Sequence, residues 1–181
     1  MHSVAGAIKE LQNKSNIEIE ELANNEAFCS ILLQATEIAI KNHQAEKIQY
    51  LSNALVSFGE AVSPDVDRSF KYMSLIDEMT VSHVKILQVL DKHLDQLKRY
   101  KSLESIYEEI IRLEGEIFSR SDFRIFLGDL QSKRLVVLGS VDDYPEYQSG
   151  NDMMLLESSI EKPLTVTKFG RDFLEFIKLY A

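Results

Sequence analysis

The sequence predicts a mainly α-helical fold: an N-terminal helical bundle packed on a C-terminal unit of three helices, a small β-hairpin and a closing helix. Three observations carry this. Apolar residues recur at three- and four-residue steps along most of the chain, which lines one face of a helix with a 3.6-residue period. Only three prolines and seven glycines interrupt 181 residues, and Leu, Ile, Glu, Lys and Ala supply much of the rest, as suits long helices. Near residue 135 the helical period gives way to a short β-branched run followed by turn residues.

Taken in order, residues 1–16 form a poorly defined segment in which Val4, Ile8 and Leu11 hint at a short helix stopped by Asn13, Ser15 and Asn16. From about Ile17 to Asn42, Leu22, Phe28, Ile31, Leu32, Ala35, Ile38 and Ala39 make one stripe, with Asn24 or Asn25 as the cap of its main part. After a break at residues 42–44, Ile48, Leu51, Leu55 and Phe58 predict a helix over 45–60 that folds back on the first, with Gly59 loosening its end. Ser63-Pro64-Asp65 starts a third helix over 64–78, since proline fits a first helical turn and an aspartate there meets the positive end of the helix dipole. Phe70, Met73, Leu75 and Ile76 are its apolar side, and residues 17–79 form the predicted bundle.

Residues 80–181 have their own order. Thr80 caps a helix from Val81 to about Leu94, carrying Val84, Leu87, Val89 and Leu90. Ser102–Leu113 follows with Leu103, Ile106 and Ile110, then Ser121–Lys133 with Phe123, Phe126, Leu127 and Leu130. Leu135–Leu138 reads as a strand, the stretch Asp142–Asp152 as a polar loop holding Pro145 and Gly150, and Met153–Leu156 as the second strand of a hairpin. Thr165 or Thr167 caps a last helix lined by Phe169, Phe173, Phe176, Ile177 and Tyr180. Three helices, a two-stranded wing and a closing helix make the winged form of the helix-turn-helix.

The spacing Phe126-Leu127-x-Asp129-Leu130 with Leu135-Val136, together with Leu164-Thr165, Gly170 and Phe173-Leu174-x-Phe176-Ile177, resembles the second half of many winged-helix domains. Adding Glu46-Lys47, Asn53-Ala54-Leu55, Pro64-Asp65 and Thr80-x-x-His83-x-x-x-Leu87, residues 25–180 resemble uncharacterised bacterial proteins in which a helical region precedes a winged-helix-like end. That resemblance implies the fold and brings no activity with it.

Composition narrows the function classes. Hydrophobic residues make up 45% and charged residues 27%, which places the chain among folded globular proteins. The net charge of -9 repels nucleic acid and anionic membrane at long range. The single Cys29 cannot form an intrachain disulfide, and on its apolar helix it reads as a buried, inert thiol. No secretory signal opens the chain and no apolar run approaches the ~18–20 residues that cross a bilayer, so a cytoplasmic location and no membrane partner are expected.

A duplex-reading winged helix needs basic and amide side chains on its third helix. Arg120, Arg124, Gln131, Lys133 and Arg134 are the candidates, with Asp122 and Asp129 among them. The wing carries Asp142, Asp143, Glu146 and Asp152 with no Lys or Arg between them, and such a tip repels phosphate. Catalytic and metal-binding readings are weaker still. His43 and Glu46 share a helical spacing but lack the second Glu-x-x-His unit of a carboxylate-bridged metal site, and read as a surface polar pair. Asp65 and Asp67 lack the rest of a calcium loop and read as helix-start acids. His83 reads as a histidine that tethers a loop or lies half-buried between the two halves. No phosphate-loop, dinucleotide or nucleophile-elbow string occurs. The expectation is a non-catalytic, cofactor-free interaction or assembly module that contacts a protein partner or self-associates as a homo-oligomer; the alternative is a DNA-binding transcriptional regulator using residues 121–134.

Overall fold

The computed structural model describes residues 22–100, 102–138 and 164–178, together with Gly6. Among them eight helices and one two-stranded sheet follow in the order α1 (Glu26–Lys41), α2 (Ala45–Glu60), α3 (Val66–Glu78), α4 (Val81–Lys92), α5 (Leu94–Leu97), α6 (Leu103–Glu114), α7 (Arg120–Ser132), β1 (Val136–Leu138), β2 (Leu164–Val166) and α8 (Lys168–Phe176). The fold is thus mainly α-helical with a small antiparallel sheet, as the hydrophobic period predicts. The described backbone divides into two compact units: one takes in the residues up to Val81 and from Asp172 onward, the other is Ser82–Arg171.

In the first unit, α1 starts at Glu26, well after the Ile17 at which the apolar pattern begins. The Asn25 side chain accepts a hydrogen bond from the Phe28 N–H at 3.0 Å, and Glu26 sits in the first turn, so the cap and the dipole set the boundary together. Asp65 caps α3 by accepting from the Arg68 N–H, which puts Pro64 before the cap and not inside the first turn as the sequence suggested. The core combines Phe28, Ile31 and Ala35 of α1 with Leu51, Leu55 and Phe58 of α2 and Met73 and Ile76 of α3, each at most 3% exposed. Tyr72 packs against Phe173 and Phe176, with ring centroids 5.7 and 5.2 Å away.

Buried and half-buried polar side chains in this unit reach carbonyls that a helix end leaves without an internal partner. Lys47 Nζ donates to the Asp77 carbonyl at 2.7 Å, near the end of α3, and burial pushes its pKa below the usual lysine value. Ser57 Oγ donates to the Phe176 carbonyl and Asn53 Nδ2 to the Ile177 carbonyl, each at 2.9 Å. These two bonds close the C-terminal end of α8.

In the second unit, Val84, Leu87 and Leu90 of α4, Leu97 of α5, Ile106 and Ile110 of α6 and Phe123, Leu127 and Leu130 of α7 are all buried. β1 pairs antiparallel with β2 in the register Val136↔Val166, Val137↔Thr165 and Leu138↔Leu164. This corrects the predicted hairpin: the partner of β1 is the segment 164–166, and Thr165 is a strand residue, not a helix cap. Pattern reading chose Met153–Leu156 because it is the more apolar run. Leu164-Thr165-Val166 instead alternates buried, half-exposed and buried, the signature of a strand covered on one face. Met153–Leu156, the polar loop 142–152, the pattern in residues 1–16 and Tyr180 lie outside the described residues.

Thr167 is the residue that opens α8. Its Oγ1 accepts from the Gly170 N–H at 2.9 Å and donates to the Arg134 carbonyl at 2.8 Å, tying the end of α7 to the start of α8. Gly170 is there for space, because a Cβ on it would run into the Leu135 carbonyl.

Candidate functional site

The two helices that would engage a duplex in a winged helix are α6 and α7, and the joint between them is built from local rules. Ser102 caps α6 by accepting from the Ser105 N–H at 3.2 Å, and Ser119 caps α7 by accepting from the Asp122 N–H at 3.1 Å. The second cap places Arg120 inside α7, one residue earlier than the Ser121 start read from the sequence. Between them Gly115, at φ 81, ends α6 with its N–H on the Ile111 carbonyl. Tyr107 of α6 then donates its hydroxyl to the Phe118 carbonyl at 2.9 Å while its ring packs 5.6 Å from that of Phe123.

At 100° per residue the buried side of α7 is set by Phe123, Leu127 and Leu130. The opposite side is formed by Ser121, Ile125, Gly128 and Ser132, and Ile125 is 53% exposed. Asp122 and Asp129 flank that strip on one edge; Arg124 and Gln131 flank it on the other, with Arg120 further round. The surface that a groove-entering helix would present is therefore neutral along its middle, with charge only at its edges.

Each predicted contact residue has a definite place. Arg120 forms an ion pair with Glu104 of α6 and lies over the Tyr107 ring, 5.6 Å from its centroid. Arg124 reaches the other oxygen of the same carboxylate at 3.7 Å. One acid in the first turn of α6 thus holds both arginines, a contact invisible to any spacing rule because it depends on how α6 and α7 cross. Gln131 lies half-buried on the α7 edge, Lys133 is the C-cap, and Arg134 follows it with a left-handed backbone at φ 59. The structure brings Arg120 and Arg124 together and leaves Lys133 and Arg134 beyond the opposite end of the helix.

His83 is buried and not half-buried, and what it tethers is α7. Its Nε2 lies 3.0 Å from Asp129 Oδ2, and its ring meets Phe126 edge-on at 4.6 Å. The reason is position: on α4, residue 83 falls beside Val84 and Leu87 on the side that faces the core. Two further carboxylates organise the unit. Glu109, only 6% exposed, accepts from Arg112 Nε at 2.8 Å and Nη2 at 2.6 Å, with Arg99 at 3.5 Å. The Arg112 hydrogen bonds hold its carboxyl down at about 2, and the pairing raises Arg112 in turn. Glu114 takes contacts from His93 Nε2 at 2.5 Å and Lys92 Nζ at 2.6 Å; these, the His93 bond foremost, hold it below the ordinary carboxylate value.

The other residues singled out by sequence lie apart from this region of the chain. His43 is exposed in the break before α2, and Glu46 lies in the first turn of that helix. Asp65 caps α3 and Asp67 is in its first turn, so both serve as helix-start acids. Cys29 is exposed, which overturns the buried-thiol reading: it is one residue from the buried Phe28, and the 100° step carries it off the core face to the solvent side near Leu33 and Ile40. Among the described residues no group of three or more His, Cys, Asp or Glu side chains is placed to hold a metal ion, and no helix is long and apolar enough to cross a membrane. No protein-family model, curated protein or solved structure matches the chain.

Proposed function

We propose that this chain is a non-catalytic protein-interaction module built on a winged-helix-like frame, with α7 as its contact helix, and that it does not read duplex DNA. The observation that carries this is the outward face of α7. A duplex-reading helix presents Arg, Lys, Asn or Gln to base edges along the middle of its exposed side and draws most of its affinity from phosphate contacts. The middle here is Ser121, Ile125, Gly128 and Ser132, and the two arginines of the helix share the Glu104 carboxylate. The long-range field of a chain with net charge -9 opposes approach to phosphate. In sequence, the segment joining β1 to β2 adds six acidic residues against the single Lys162. The exposed Ile125 at the centre of this face, with charge only at its edges, suits a small protein contact better than a phosphate-lined groove.

Fluorescence anisotropy with labelled duplexes, titrated across a range of salt, tests the reading. The expected outcome is no saturation at physiological salt below the ~10⁻⁴–10⁻⁶ M range of non-specific binding. Saturation in the nanomolar range, steeply weakened by salt and abolished by Arg120→Glu with Arg124→Glu in a folded variant, overturns it in favour of a DNA-binding regulator.

A further inference from the structure

We infer that the occupant of the α7 face is a second copy of this chain, bound with the two α7 helices parallel about a two-fold axis; the inference rests on the interaction-module reading and names its partner. The outward strip has the four-three spacing of a coiled-coil seam but not its apolar composition: Ile125 is its single apolar residue, and Ser121, Gly128 and Ser132 are small residues that let a second helix approach, so the edges must select the partner. With the seam so placed, Asp122 and Asp129 occupy one flanking position of the heptad, and Arg124 and Gln131 the other.

Flanking charges decide orientation. In a parallel pair the basic edge of one helix faces the acidic edge of its mate, and the residues that meet are five apart in sequence, which sets Arg124 against Asp129 of the second copy, twice over by symmetry. In an antiparallel pair like edges meet, so Asp122 and Asp129 would confront the same acids. The groups needed are accessible: the side chains of Arg124 and Asp129 are 41% and 52% exposed. Glu104 cannot neutralise both of the arginines it touches, so positive charge remains on that edge. Asp129 offers one oxygen to His83 and keeps the other. The larger apolar ridge of α1, where Leu33 and Ile40 are 62% and 74% exposed, carries no such opposed pair of charged edges. A 13-residue helix covers less than the ~800 Å² per partner of a standard stable complex, so the dimer is a weak one.

Sedimentation equilibrium of the full chain, over a wide range of concentration, tests this. The wild type is expected to shift from 20.7 kDa toward twice that mass as concentration rises. Ile125→Glu abolishes the shift; Arg124→Glu and Asp129→Lys each weaken it roughly tenfold or more, and the double swap restores it. Circular dichroism shows that each variant is folded. A dimer that survives Ile125→Glu, dissolves instead on Leu33→Glu, or tightens with Asp129→Lys as an antiparallel pair would, overturns the assignment. A chain that stays at monomer mass throughout overturns it as well, and leaves the interaction-module reading to stand or fall on the duplex titration.

Discussion

The two compact units differ in what pairs with their buried polar side chains. In the unit that contains α1, α2 and α3, buried Lys47 and Asn53 and half-buried Ser57 donate to the carbonyls of Asp77, Ile177 and Phe176, while the ion pairs of Arg68 with Asp65 and Asp172 lie nearer the solvent. In Ser82–Arg171 the buried ionisable side chains His83 and Glu109 pair with Asp129 and Arg112, beside the links of His93 with Glu114 and Arg120 with Glu104, while Tyr107 and Thr167 reach backbone carbonyls. A side chain that satisfies a helix-end carbonyl removes the cost of a buried orphan and responds little to pH or salt. Ionisable pairs in which one member meets solvent, as Asp129 and Arg112 do, contribute less and respond to both. Among the described residues the buried polar groups of the first unit are thus held mostly by backbone and those of the second by opposite charge, and the second is where a change of solution conditions is felt more.

The comparison is broken most severely by removing packing that polar ties depend on. Phe173 is fully buried and packs on Tyr72, so Phe173→Ala is expected to cost about 3–5 kcal/mol, measured by chemical denaturation. A loss under 1 kcal/mol would mean that the end of α8 is held by its hydrogen bonds and not by its ring contacts. Asn53→Ala comes next. It strands the Ile177 carbonyl and the Gln49 amide that now donates to Asn53 at 2.7 Å, for an expected loss of about 1–3 kcal/mol with little change between low and high salt. Marked salt dependence in that variant would erase the distinction between the units.

For the second unit the decisive variable is pH. The Glu109 carboxyl sits at about 2 in the folded chain against an ordinary 4.5, so it binds its proton more weakly folded than unfolded. Its contribution is complete above about pH 4.5 and is lost as pH falls through about 2. Glu109→Gln should lower the melting temperature at pH 7 and flatten its fall across that window. The effect should be smaller than that of Asn53→Ala, because the Arg112 and Arg99 side chains are 64% and 61% exposed and solvent screens them. An unchanged slope would show that the arginines do not hold this carboxylate in solution.

How much of this is legible in the sequence follows from which forces are local. The 45–60 helix matches α2 residue for residue, Asn25 caps α1 as one of the two residues named, and the core of α7 is the predicted set of Phe123, Leu127 and Leu130 without Phe126, because period and capping act within a few residues. The pairing of β1 with 164–166 is not legible, because it joins residues about thirty apart and apolar content alone does not say which distant run will pair. Gly170 was visible as a position in a pattern, but the reason for it, the approach of the Leu135 carbonyl, comes only from the fold. At the candidate site, sequence found the arginines and the two aspartates of α7. It missed Glu104 and the His83 link, because both belong to neighbouring helices whose crossing no spacing rule encodes.

The smallest expected effect concerns the end of α7. The Leu135 N–H bonds the Leu130 carbonyl and the Arg134 N–H bonds that of Gln131, the paired bonds of a helix end that turns through a left-handed residue, a position glycine usually fills. Arg134 fills it at φ 59, where a Cβ costs about 1–2 kcal/mol. Replacing it by glycine removes that strain but adds unfolded-state freedom worth about 0.4–1 kcal/mol, so Arg134→Gly should gain on the order of 0.5–1 kcal/mol, seen as a higher denaturation midpoint at constant slope. Arg134→Ala keeps the Cβ and should gain nothing. If both variants lose stability, Arg134→Ala the more, the guanidinium makes a contact worth more than the strain at this position. Arg134 would then join the ionisable links that set this unit apart from the first.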